Sequence, residues 1–393
     1  MKVFSWLLFL AMAGPFAPGS EGQAPAAAPE SAIRTAARNL TVEDYIRIKE
    51  VSDPQISPER KWVAYVVKTA KLEEDKNEER IWMVSSDGGE AIALTAESAS
   101  SNHPRWSPDG KYLAFISERD EGQKQVWLLN RLGGEAQQLT DTIQDVKDFD
   151  WSPAGDRLVL VLQDPSPDEL EAAKNKEKGK KKEAEKKEPK PRPVVIDRLH
   201  FKEDEIGYLD RRRSHLYVFE IASKKMTQVT SGDFDDSEPA WSPDGRSIAF
   251  TSNRTAEPDS NFNSDIWVVA ADNSDKGKSL VQVTTNPGTD ASPTWSPDGK
   301  WIAFTTQIDP KLFWYATIHL GIAPATGGEA KILTKALDRP VSMPRFSSDG
   351  RWVYFIAEDD GTQNLLRVSP LGGEITRPIA GRRTVAAFSL SKD

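Results

Sequence analysis

The chain comprises 393 residues, 38% of them hydrophobic and 28% charged, with a formal net charge of −9. That is material for a large core, and the acidic excess excludes the basic footprint of a nucleic-acid binder, so no nucleic-acid partner is expected. With no cysteine, disulfides, thiolate metal sites and cysteine nucleophiles are excluded as well.

Residues 1–24 read as a secretory signal. Lys2 is followed by the apolar run "VFSWLLFLAMAG" and then by small and Pro-rich residues, and Gly22-Gln23-Ala24 offers small residues at the two positions a signal peptidase reads. The run is about a dozen residues, short of the ~20 that span a bilayer. The expectation is an exported protein, periplasmic or secreted, with no membrane association after cleavage. Residues 25–38 form a flexible linker, and 39–393 form one repeat array.

The repeat is a "WSPDG"-type turn followed by a β-rich run. It starts at Ile56 ("ISPERKWVAYVV"), Trp106 ("WSPDGKYLAFISERD"), Trp151 ("WSPAGDRLVLVL"), Trp241 ("WSPDGRSIAFTSNR"), Trp295 ("WSPDGKWIAFTTQ") and Phe346 ("FSSDGRWVYFIAEDDG"), with a seventh start at Phe388 ("FSLSKD"). The steps are 50, 45, 90, 54, 51 and 42 residues. Ser opens the turn, Pro presets φ and Gly accepts a left-handed conformation. The next run, such as "KYLAFIS", suits a buried strand. A third strand follows ("KQVWLLNR", "ERIWMVS", "SHLYVFE", "SDIWVVA"), then a Gly-Gly-Glu turn at Gly88, Gly133, Gly327 and Gly372. A last strand closes on Leu94-Thr95, Leu139-Thr140, Val229-Thr230, Val283-Thr284 or Leu333-Thr334. Four strands in meander order at a period of 40–55 residues predict an all-β fold, a β-propeller of four-stranded blades. Seven blades are expected, the last truncated. Trp106, Trp151, Trp241, Trp295 and Phe346 recur once per unit, which favours inter-blade wedges over an aromatic ligand box.

The doubled step between Trp151 and Trp241 contains "PSPDELEAAKNKEKGKKKEAEKKEPKPRP", with nine lysines between Lys174 and Lys190. Its composition predicts a solvated insertion at about 164–193, part of it helical at most, inside a single third blade. Strands are expected to resume at "VVIDRLHF" (194–201) and "SHLYVFEI". A basic run can attract an acidic partner, but its interleaved glutamates favour a solvated loop.

A search for chemistry finds little. No Gly-x-Ser-x-Gly elbow occurs. His103, His200, His215 and His319 sit at ordinary blade positions, which favours structural roles over a triad. No His-Glu-x-x-His, EF-hand loop or phosphate loop is present. Asp233, Asp235, Asp236 and Glu238 could gather a hard cation, although an exposed acidic loop is the plainer reading. The chain is assigned no catalytic, cofactor-binding or metal residues and no cofactor.

Residues 40–67, "LTVEDYIRIKEVSDPQISPERKWVAYVV", resemble the opening of the β-propeller of the prolyl oligopeptidase family of serine peptidases. The "WSPDG…IAF" units resemble the WD40-like repeats of that family and of the TolB propeller. Residues 194–221 and 232–254 ("GDFDDSEPAWSPDGRSIAFTSNR") look most like its acylaminoacyl-peptidase and dipeptidyl-peptidase branch. The resemblance implies a propeller that caps a C-terminal α/β-hydrolase domain carrying Ser, Asp and His, and that admits only short or unfolded peptides. This chain ends before any such domain, so no catalytic residue carries over. Its peptide substrates would be met through the missing hydrolase domain, and a truncated ring is expected to self-associate. In the dipeptidyl peptidase IV-like branch a Glu-Glu pair holds the substrate amine. Glu73-Glu74 and Glu78-Glu79 are such pairs, but they lie in a charged hairpin without the surrounding motif. The alternative is a TolB-like periplasmic protein-binding propeller without enzymatic activity.

Overall fold

Each repeat folds as an antiparallel four-stranded meander because its turns are local and its strands are short. The computed structural model describes residues 38–391 apart from 98, 120–121, 178–194 and 205, so the signal at 1–24, nearly all of the linker and much of the Lys-rich insertion lie outside the described residues. Six blades are present among the described residues. Blade 1 comprises Glu50–Ile56, Trp62–Lys71, Lys76–Ser85 and Ile92–Ala93, and blade 2 comprises Ser101–Trp106, Tyr112–Ser117, Gln125–Asn130 and Gln137–Gln138. Blade 3 holds Val146–Trp151, Arg157–Gln163, Ser214–Glu220 and Met226–Gln228, and blade 4 holds Asp236–Trp241, Ser247–Ser252, Asp265–Ala270 and Val281–Gln282. Blade 5 consists of Asp290–Trp295, Trp301–Gln307, Ile318–Pro324 and Lys331–Ile332, and blade 6 of Val341–Phe346, Val353–Asp359, Thr362–Val368 and Thr376–Ile379.

One twisted sheet cannot cover both of its faces, so the core lies between blades. Phe115 fills the gap between blades 1 and 2, Phe149 that between 2 and 3, Phe250 that between 3 and 4, Phe304 that between 4 and 5, and Phe355 that between 5 and 6. All five are fully buried. The wedge tryptophans add a directional tie. Trp106 Nε1 donates to the Gln55 carbonyl at 3.0 Å, Trp151 to Arg105 at 3.2 Å, Trp241 to Asp150 at 3.2 Å and Trp295 to Ala240 at 3.0 Å. Each acceptor lies one residue before the wedge position of the preceding blade. The recurrence of the aromatics is therefore structural.

The repeated threonines have an equally local reason. Where the short outer strand ends, the hydroxyl of Thr95, Thr140, Thr230, Thr284 or Thr334 accepts the backbone N–H of Ile81, Val126, Leu216, Ile266 or Leu320 at 2.8–3.0 Å. A buried donor that would lose its ladder partner is satisfied by a side chain. At the turns, Gly155 has φ of 73° and a Cβ there would stand 3.3 Å from Pro108 Cδ of the preceding blade. Successive turns nest on one another around one face of the ring, here called the turn face.

The long step resolves as one blade with an insertion, since Arg157–Gln163 pairs directly with Ser214–Glu220. The connection carries a helix at Pro167–Glu177 and a small hairpin of Lys202–Glu203 with Gly207–Tyr208. The strand expected at 194–201 is absent over its described residues, 195–201. Val195, Ile196 and Leu199 are exposed there, and Arg198 pins the segment to Asp259 at 2.5 Å instead. An apolar run without a sheet edge to join does not become a strand.

Among the described residues the seventh repeat forms no four-stranded sheet, and its register differs from the one expected. Val385 N donates to the Gln363 carbonyl at 2.9 Å, the bond that Val146 makes to Lys124 and Asp290 to Ser264 in other blades. That equivalence puts Leu390, rather than Phe388, at the wedge position. Phe388 packs against blade 6 beside buried Ile356 and Val385, while Ile56 N donates to Ser389 Oγ at 3.0 Å. Residues 385–390 therefore occupy the seam between blade 6 and blade 1.

Candidate functional site: the lining of the central channel

The innermost strand of five blades carries a bulge three residues before the wedge position. The register slips between Ser52 and Gln55, Asn102 and Arg105, Ser237 and Ala240, Ala291 and Thr294, and Ser342 and Arg345. At each slip a non-glycine residue is left-handed: Asp53 (φ 47°), His103 (54°), Glu238 (50°), Ser292 (56°) and Met343 (54°). That conformation costs roughly 1 kcal/mol or more for a residue with a Cβ. In blade 3 the slip lies one residue earlier, between Val146 and Asp148, and Asp148 keeps an ordinary φ.

These side chains and those two positions further along form a polar lining. Arg105 Nη1 donates to Asp53 Oδ2 at 2.7 Å and Oδ1 at 2.9 Å, joining blades 1 and 2. Its Nη2 donates to His103 Nδ1 at 3.2 Å. An arginine can only donate, so Nδ1 is the acceptor nitrogen and the proton sits on Nε2. Nε2 faces Asp148 Oδ1 at 2.9 Å and the Phe149 carbonyl at 3.0 Å, joining blades 2 and 3. Glu238 accepts from Ser292 N at 2.7 Å and from Ser292 Oγ at 3.2 Å, joining blades 4 and 5.

Arg345 of blade 6 completes the lining. The charges acting on it are Arg105, Asp150, Asp53 and Glu238, from blades 2, 3, 1 and 4. A blade 6 side chain senses all four only across the axis of the ring. Burial, helped by the repulsion from Arg105, holds its guanidinium below the usual arginine range even though water reaches it. Burial likewise pushes Asp150 up to about 6, against the opposing pull of Arg105.

The other candidates fall elsewhere. His215 is buried with Nδ1 3.4 Å from Asp236 Oδ2, His319 Nδ1 is 3.1 Å from the Thr334 carbonyl, and His200 is exposed. The acidic cluster is dispersed among bases. Asp233 and Asp235 pair with Arg213 at 2.7 and 2.9 Å, and Asp236 pairs with Arg254 at 2.7 Å. Among the described residues no three His, Asp or Glu side chains converge as metal ligands. Glu78 is buried and pairs with Lys71 at 3.3 Å, and Glu79 accepts from Asn102 Nδ2 at 2.7 Å, so these two glutamates point to different partners. His103 and Glu238 were singled out from sequence, whereas Asp53, Arg105, Asp148, Asp150, Ser292 and Arg345 were not. Their signal was their offset from the wedge residue.

Between blades 4 and 5 lies a second group of acids. Asp290 is fully buried with neither carboxylate oxygen hydrogen-bonded, near Asp265. Asp265 accepts from Thr284 Oγ1 at 3.1 Å and from Gln282 Nε2 at 3.0 Å. The equivalent slot between blades 3 and 4 holds His215, Asp236 and Arg254, an acid flanked by bases.

The N-terminal domain family of acylamino-acid-releasing enzyme matches residues 57–124. The uncharacterized peptidase YuxL of Bacillus subtilis is 29% identical over 58% of this chain and 34% of its own length. Dipeptidyl-peptidase 5 of Porphyromonas gingivalis is 26% identical over 94% of this chain and 53% of its own. Pyrococcus horikoshii acylaminoacyl peptidase superposes with a TM-score of 0.63 at 19% identity, over 88% of this chain and 48% of that one, a likeness of fold. The chain spans about a third to a half of the length of these relatives. Taken with the four-stranded blades, these matches make the chain a β-propeller similar to the N-terminal propellers of acylaminoacyl- and dipeptidyl-peptidases of the prolyl oligopeptidase family.

Proposed function

We propose that this propeller controls access to the active site of an exported serine peptidase, admitting short peptides and turning away folded proteins. Cleavage itself would proceed by acyl-enzyme chemistry at a Ser-His-Asp triad on a hydrolase domain outside this chain. The observation that carries the reading is the channel lining. Asp53–Arg105 and His103–Asp148 tie neighbouring blades together along the wall of the channel that a substrate would use.

A second feature supports a covering domain. The helix Val42–Ile46 is properly capped by Thr41 and Asp44 yet buries none of its residues. Leu40, Val42, Tyr45 and Ile48 are exposed where the chain leads into blade 1, on the face opposite the turns, and Tyr315 is exposed in a loop of the same face. Exposed apolar side chains on a capped helix that packs on nothing are what a covering domain would bury.

The test uses the enzyme that contains the hydrolase domain. Replacing both Asp53 and Arg105 by Ala should raise turnover of peptides of eight or more residues relative to a dipeptide chromogenic substrate. An unchanged ratio in a folded variant would overturn the gate. N-terminal sequencing of the mature protein from fractionated cells tests export, with a start near Pro25 expected.

A further inference from the structure

We infer that the channel holds a subsite for a short zwitterionic peptide, with Asp150 receiving its ammonium group and Arg345 its carboxylate. The inference rests on the access reading above and names what the channel would bind.

Asp150 and Arg345 occupy the same place in the repeat, one residue before the wedge, on blades 3 and 6. Two blades, 4 and 5, lie between them in one direction around the ring, and blades 1 and 2 with the seam in the other, so they face each other across the channel. Most of the lining is already committed. Arg105 is held by Asp53 and His103, His103 by Asp148, and Glu238 by Ser292 and Thr251. The two exceptions have opposite charge. Asp150 accepts one bond, from its neighbour Trp151 N at 2.9 Å, and Arg345 donates to the adjacent Pro344 carbonyl at 2.8 Å. Neither forms an ion pair among the described residues.

Asp150 is half-buried with one bond from a neighbouring backbone N–H, and Arg345 is open to the channel with a bond only to the carbonyl beside it, so each has bonding capacity left for a ligand. A charged ligand group supplies those bonds in their charge-assisted form. The requirement is one amine and one carboxylate on a single flexible ligand. A peptide of two to four residues meets it, reaching about 7–14 Å when extended.

The experiment is calorimetric titration of the purified chain with trialanine, N-acetyl-trialanine and trialanine amide. Trialanine should bind at least tenfold more tightly than either capped form. In Asp150→Asn, acetylation should cost nothing further, and in Arg345→Gln, amidation should cost nothing further. Equal binding of all three peptides, or no binding of trialanine, would overturn the subsite. Comparing capped ligands on the unaltered chain keeps the test valid if a variant folds poorly. Failure here leaves the length selectivity of the Asp53/Arg105 variants untouched, so subsite and gate fall separately.

Discussion

Trp295 of blade 5 donates its indole N–H to the Ala240 carbonyl of blade 4, 3.0 Å away. The bond joins two sheets that share no strand ladder, so it adds direction to a contact that is otherwise apolar packing. Trp295→Phe keeps most of the ring but removes the indole N–H, the inter-blade donor to a half-buried carbonyl whose ladder partner is Ala249. A loss of about 1–2 kcal/mol is expected in urea unfolding. Trp295→Ala should lose about 3–5 kcal/mol by adding a cavity. Equal losses for the two variants would show that the indole N–H contributes nothing.

Asp290 supplies a pH dependence. An aspartate titrates near pH 4 in an unfolded chain. In the folded chain burial raises Asp290 to about 7, with the Asp265 carboxylate adding to the shift, and burial raises Asp265 to about 6. Between those values the folded state keeps protons that the unfolded chain has released. The contribution of these two groups to stability is therefore greatest at acid pH and declines as pH rises from about 4 through about 7. Asp290→Asn should flatten that decline and stabilise the chain at pH 8 by at most about 4 kcal/mol, three pH units at 1.36 kcal/mol each. Denaturation at pH 5 and pH 8 measures it, and a variant with the wild-type slope would exclude Asp290 as its source.

Thr140 offers a test of the outer-strand closure. Its hydroxyl accepts from Val126 N at 3.0 Å and donates to Gln125 Oε1 at 2.7 Å, both fully inside. Thr140→Val preserves the shape and strands a buried N–H. A cost of about 1–3 kcal/mol is expected. Hydrogen exchange at Val126 should accelerate more than at Val218, which lies in the next blade.

Arg60 sits at the turn position that glycine holds in the other repeats, with φ of 62°. Arg60→Gly relieves a left-handed side-chain clash, against a larger entropy of the unfolded chain. A net gain of roughly 0.5–1 kcal/mol is expected by thermal unfolding. A loss would mean that the side chain's own contacts outweigh the backbone strain.

Blade architecture and order were legible because turn chemistry and strand alternation act over a dozen residues, although six blades are present among the described residues where seven were expected. Even the 90-residue step between Trp151 and Trp241 could be read as one interrupted blade, since "RLVLVLQ" and "SHLYVFE" each had a counterpart in the other repeats. Two misreadings share a cause. Phe388 looked like a wedge because it is aromatic, and "VVIDRLHF" looked like a strand because it is β-branched. In both cases partners distant in sequence decided the outcome, Gln363 for the seam and Asp259 for Arg198. The channel was illegible for the same reason. Arg345 and Asp53 lie nearly 300 residues apart, and only ring geometry brings their charges within reach of each other.

The left-handed bulge has a consequence for how such a protein can diversify. The same backbone bend carries a carboxylate at Asp53, an imidazole at His103, a longer carboxylate at Glu238, a hydroxyl at Ser292 and a thioether at Met343. The bend, and not the identity of the side chain, decides where the group points. Mutation can therefore re-letter the inner wall one blade at a time while the sheets behind it stay as they are, so that selectivity drifts freely on an unchanged frame.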